Sequence, residues 1–125
     1  MRKLVGTLVL LALLAFAGTA VAAAGRGPVP PFPRLPGTWS HAEINVSIRH
    51  TPHTLILDRG KIVQVSATQV TIHRRDDTTV VVPLSVSTIV IVGNVPATAS
   101  DLRKRMNVQT MRIDGGAAVR LRASF

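Results

Sequence analysis

From His41 onward the chain alternates: Ala42, Ile44, Val46 and Ile48 are apolar, and Glu43, Asn45, Ser47 and Arg49 between them are polar. A period of two sends successive side chains to opposite faces of an extended backbone, so this segment reads as a half-buried β-strand with one wet face. His50-Thr51-Pro52 interrupts the pattern and Thr54-Leu55-Ile56-Leu57 resumes it, which predicts a hairpin. Asp58-Arg59-Gly60 reads as the next break. Residues 61–66 and 70–74 are strands around the connection Ala67-Thr68-Gln69, and Asp76-Asp77 marks a tight turn where Asp-Gly would be more usual. Residues 79–84 form another strand, and Pro83, lacking an amide, puts its end at an edge or a bulge. Residues 88–92 are apolar on both faces and suit a central, buried strand.

One short helix is predicted near 98–104. Thr98 caps it, with Asp101 three residues later as capping-box partner. Leu102 and Met106 would face the core together, with Arg103, Lys104 and Arg105 in water.

The final hairpin can be registered from its side chains, because cross-strand partners share a face. A two-residue Gly115-Gly116 loop sets Arg112 opposite Val119; a three-residue Asp114-Gly115-Gly116 loop sets Met111 opposite Val119 and Arg112 opposite Ala118. The second keeps apolar with apolar and places glycine where a left-handed residue is needed. It predicts Arg112, Arg120 and Arg122 on the outer face, with Val119, Leu121, Ala123 and Phe125 facing in. Six to seven short strands and one short helix over 40–125 make an all-β domain, a small barrel or sandwich that buries roughly 60% of its unfolded surface.

What precedes the domain reads as an address and a leader. Arg2 and Lys3 are followed by an apolar run centred on Leu8-Val9-Leu10-Leu11-Ala12-Leu13-Leu14, then by Ala20-Val21-Ala22-Ala23-Ala24. Residues 1–24 therefore form a secretory signal peptide, cleaved after Ala22 or Ala24. The alternative is an uncleaved N-terminal membrane anchor, since the stretch is just long enough to span a bilayer. Residues 25–39 are a proline-rich leader with Pro28, Pro30, Pro31, Pro33 and Pro36, extended as polyproline II over roughly 35 Å. Phe32 and Trp39 are the side chains able to pin it to the domain, and a spacer or surface strap is favoured over a PxxP ligand.

The segment from Gly60 to Leu121 resembles a family of small exported bacterial β-barrel domains of unknown function. The resemblance rests on Gly60-Lys61-Ile62, Asp76-Asp77-Thr78-Thr79-Val80, Thr88-Ile89-Val90, Ala97-Thr98-Ala99-Ser100-Asp101-Leu102, Val108 and Asp114-Gly115-Gly116-Ala117. It covers about half of the chain and implies an OB-like barrel in the cell envelope or outside the cell. Asp77 and Arg105 stand where the pattern has glycine, and both positions are expected to need positive φ. No catalytic or binding residue carries over.

Chemistry is constrained mainly by what is missing. There is no cysteine, so no disulfide, thiolate metal site or cysteine nucleophile. Asp58, Asp76, Asp77 and Asp114 fall in predicted turns, Asp101 in a cap, and Glu43 on a wet strand face with no partner in view. Ser85 and Ser87 lie in an ordinary strand connection without a nucleophile motif. His50-Thr51-Pro52-His53, with His41 and His73 elsewhere, offers imidazoles suited to zinc or copper. Nothing completes a shell, and these read as surface turn histidines; no metal, cofactor or catalytic residue is assigned.

Charge is the broadest signal. Fifteen Lys+Arg stand against six Asp+Glu, a formal charge of +9. The candidate site is a basic face made of Arg103, Lys104, Arg105, Arg112, Arg120 and Arg122. Three Phe, one Trp and no Tyr leave few platforms for stacking, which argues against sequence-specific nucleic-acid binding and leaves attraction to anionic polymers, lipid headgroups or an envelope protein. The expected function is that of an exported, non-enzymatic domain binding such a partner. The alternatives are a structural or accessory envelope module whose arginines serve solubility, or weak histidine-based metal binding.

Overall fold

A computed structural model describes residues 29–125. The signal peptide expected at 1–24 and the first four residues of the expected leader lie outside the described residues. Eight strands follow one another: β1 (His41–Ile48), β2 (Thr51–Val65), β3 (Gln69–Arg74), β4 (Thr79–Pro83), β5 (Ile89–Val92), β6 (Val95–Ala97), β7 (Asn107–Ile113) and β8 (Ala118–Ser124). They form one sheet in the order β4-β3-β2-β7-β8-β5-β6, with β1 paired to β2 off this path. The protein is all-β, and the pairing runs from β4 to β6 without closing. None of the helices among the described residues is long and apolar enough to cross a membrane.

The described residues fall into two compact units. The smaller holds residues 29–33 and 44–55. Its hairpin turns at Arg49 and His50, both at positive φ (50° and 68°), as a two-residue loop matched to strand twist requires. Thr54 Oγ1 donates to Asn45 Oδ1 at 3.0 Å across the hairpin, and Ile48 and Leu55 are its buried side chains. Thr51 and Pro52 belong to β2 and not to a break.

The larger unit, Arg34–Glu43 with Ile56–Phe125, carries the main core. Register explains that core. Ile62 stands opposite Ile72, Val70 opposite Val82, Val108 opposite Ala123 and Thr110 opposite Leu121, and the parallel pairing of β5 with β8 puts Val90 beside Leu121. All of these face inward and are buried, each Ile, Leu and Val contributing about 1.5–3 kcal/mol relative to exposure. A register shift between Ile62 and Gln64 leaves Val63 as the extra residue, and it is 45% exposed.

Several expectations change. Asp58-Arg59-Gly60 is not a turn; β2 runs straight through it. An alanine Cβ at Gly60 would lie 2.2 Å from the carbonyl oxygen of His73, so this glycine permits a close approach of two backbones and not a reversal. In place of a helix over 98–104 there is a single 3₁₀ turn, Ala99–Asp101. Its start is as expected, with the Thr98 amide donating to Asp101 Oδ2 at 2.9 Å. It stops at Leu102 because Arg105 takes positive φ (75°) and its amide donates to Ile62 O at 2.8 Å, committing the chain to β7. Leu102 and Met106 are nonetheless both buried.

Pro83 lies on an edge strand, and Asp77 takes φ 64°, both as expected. β5 is less buried than expected: Val90 is buried, but Ile89 is 36% exposed. Arg112 pairs with Ala118 as predicted, but a register shift beyond it sets Arg120 opposite Met111. Leu121 and Ala123 still face in, whereas the terminal Phe125 lies past the end of β8 and is 84% exposed.

Candidate anion-binding groove

Pairing and strand order build a polar face on the side of the sheet opposite the core. Lys61 on β2 stands opposite His73 on β3, and on the other pair Asn107 stands opposite Ser124 and Gln109 opposite Arg122. Because β3, β2, β7 and β8 are successive neighbours, residues distant in sequence come side by side. Lys61 Nζ donates to Asn107 Oδ1 at 3.2 Å, and Arg122 Nη2 donates to Gln109 Oε1 at 3.3 Å. Turns close the ends: β3–β4 supplies Arg75 and Asp77, and β5–β6 supplies Asn94 at φ 67°.

The result is an open groove of about 850 Å³. Arg59, Lys61, Arg74, Arg75 and Arg122 line it, against Asp77 as the one carboxylate in the lining. Arg59 is braced by Trp39, its guanidinium carbon 5.1 Å from the ring centroid, which is the domain contact expected of that tryptophan. Asp77 pairs with His73 at 3.4 Å but is almost fully in solvent.

Behind the groove lies a buried carboxylate. Asp58 is 0% exposed. Its Oδ1 accepts from Arg74 Nη1 at 2.6 Å and from His41 Nδ1 at 2.8 Å, while Oδ2 is buried with no hydrogen-bond partner among the described residues. His41 Nε2 reaches Glu43 Oε2 at 3.1 Å, so Glu43 has the partner that sequence reading did not find. The Asp58 hydrogen bond, opposed by partial burial and reinforced by Glu43, raises the His41 pKa above its ordinary 6.5. An imidazole with a carboxylate at each nitrogen is favoured as a cation donating at both ends. At the β3–β4 turn the hydroxyl and amide of Thr78 donate to Asp76 and hold its carboxyl below the usual range.

The six cations singled out from sequence are not gathered in the groove. Arg122 alone lines it. Arg103 Nη1 donates to the carbonyls of Ser100 and Leu102 (2.7 and 3.0 Å), and Arg112 bonds those of Gly116 and Gly115 (3.0 and 2.9 Å), clamping its own turn. Arg105 makes the left-handed turn into β7, with exposed Lys104 before it. Arg120 is half-buried, and burial, with the charge of Arg122, lowers its pKa. Sequence reading missed Arg59, Lys61, Arg74 and Arg75. Their signal was present as polar positions of alternating strands and a basic turn, but which strands are neighbours is not written in the alternation. Among the described residues, no three His, Asp or Glu side chains are grouped to hold a metal ion, so His50 and His53 are not joined into a shell. Compared with known proteins, the chain matches no family model, no curated protein and no solved structure.

Proposed function

We propose that this is an exported, non-enzymatic accessory domain of the cell envelope, of the OB-like barrel kind, that binds an anionic envelope component through the groove between β3 and β8. The observation that carries this reading is the charge of the lining, five cations to one carboxylate, the cations drawn from β2, the end of β3 and β8. Such a concave surface concentrates positive potential and attracts polyanions. The signal-like N-terminus and the likeness over Gly60 to Leu121 support the envelope as the compartment.

Co-sedimentation of the mature protein with native envelope fragments across a salt series tests the binding. Retention that persists above about 0.15 M salt, and that Lys61→Glu with Arg75→Glu abolishes, is the expected result. Retention lost below that concentration, or unaffected by the two substitutions, would favour a structural module without a ligand. Arg103 and Arg112, whose guanidinium groups serve their own backbone carbonyls, support that second reading. Export is tested separately by intact mass: mature material lacks Met1 through Ala22 or Ala24, and a mass that includes Met1 indicates the anchor.

A further inference from the structure

We infer that the groove recognises tetrahedral oxyanions, phosphate or sulfate esters borne along a polymer, in preference to carboxylates or nucleobases. This rests on the reading of the groove as an anion site and names the chemistry it would take. The donors come from separate directions: Lys61 from β2, Arg75 from the β3–β4 turn, Arg122 from β8, with the amide side chains of Asn107 and Gln109 already engaged by Lys61 and Arg122. A carboxylate offers its lone pairs in one plane and suits a single guanidinium fork. A phosphate or sulfate ester spreads its oxygens over a tetrahedron and can accept from an ammonium and two guanidinium groups on different walls.

Two further observations narrow the ligand. No Phe, Trp or Tyr lines the groove, so nothing there stacks on a base, and single-strand binders depend on such platforms. Lys61 and Arg75 are exposed, so each contact with one anion is worth little in water, and useful affinity requires several anions on one chain. A groove of about 850 Å³, open to solvent, accommodates a chain better than a lone ion.

The test is fluorescence anisotropy of the mature protein against four polymers of matched charge: poly(glycerol phosphate), dextran sulfate, polyglutamate and oligo-dT. Tighter binding of poly(glycerol phosphate), dextran sulfate and oligo-dT, all of which carry tetrahedral oxyanions, than of polyglutamate is expected, and the first two arms tell the two esters apart. Lys61→Ala, Arg75→Ala and Arg122→Ala should each weaken that binding about fivefold and reduce its salt dependence. Arg103→Ala should leave it unchanged, and unfolding midpoints confirm that each variant is folded. If polyglutamate binds equally well and the three substitutions still weaken it, the oxyanion preference is overturned while the groove stands. If oligo-dT binds tighter than poly(glycerol phosphate), whose phosphodiesters it shares, the bases contribute and the preference for oxyanions over nucleobases is overturned. If no polymer binds at low salt, the groove reading falls with it.

Discussion

Arg74 stands opposite Gly60 in the β2–β3 ladder, and its Nη1 reaches diagonally to Asp58 Oδ1, two residues back along β2, at 2.6 Å. Diagonal neighbours in an antiparallel pair lie within reach of long side chains. Gly60 lies between the two residues, where a Cβ would meet the His73 carbonyl oxygen at 2.2 Å and Arg74 Cα at 2.9 Å. The carboxylate is buried, and the Arg74 side chain, which lines the groove, is 16% exposed. One ion pair thus ties the interior of the larger unit to the charged surface.

Removing the charge at Asp58 leaves two cationic partners facing a neutral buried side chain. Asp58→Asn should cost about 3 kcal/mol, the lower end for breaking a buried pair because Arg74 is partly solvated. Urea denaturation measures it, and a cycle with Arg74→Met should return a coupling above about 1 kcal/mol. Additive losses would show that the contact carries no stability of its own.

Gly60→Ala should be at least as damaging, despite adding one methyl group. The new Cβ would sit 2.2 Å from a backbone carbonyl, which no rotamer change relieves. A loss of about 3 kcal/mol is expected from forced separation of β2 and β3. An unfolding midpoint equal to that of the parent would refute the close approach.

Stability should depend on pH through His41. Its pKa is raised in the folded state, chiefly by the hydrogen bond to Asp58, from an ordinary 6.5. The folded state therefore holds the proton more tightly than the unfolded chain. The contribution is complete below that ordinary value and is lost as pH climbs through the raised one. Urea midpoints between about pH 5.5 and about pH 8.5 should fall with rising pH, and His41→Gln should flatten that slope. An identical slope in the variant would place the titration elsewhere.

Asp77 and Arg105 hold positive φ, at 64° and 75°, where a Cβ is disfavoured. Asp77→Gly and Arg105→Gly should each stabilise by about 0.5 kcal/mol, relief of backbone strain exceeding the added entropy of the unfolded chain. The first should also tighten polyanion binding, because it removes the carboxylate lining the groove, and the second should not. Equal effects on binding would detach Asp77 from the site.

The alternation from His41, the paired aspartates before Thr78, the glycines after Asp114 and the proline ending β4 were enough to set the class of fold, most strand positions and two left-handed residues. Each is a local rule, satisfied within a few residues of chain. The last hairpin shows the limit of such rules: its first pair, Arg112 with Ala118, follows from side-chain matching, but the connection is four residues long, not three, and the shift beyond Arg112 sets Arg120 opposite Met111, while Arg120 and Arg122, two apart in β8, keep one face. Asp58 shows it more sharply. Aspartate before Arg-Gly favours a turn locally, yet the residue lies inside a 15-residue strand, because Arg74 and His41, distant in sequence, satisfy its charge there. The groove belongs to the same category. A period of two fixes which face a side chain takes, and strand order alone decides that Lys61, Asn107, Gln109 and Arg122 share a surface. The sequence determined an all-β chain rich in positive charge; the tertiary structure decided where that charge is buried, where it is spent on the backbone, and where it converges.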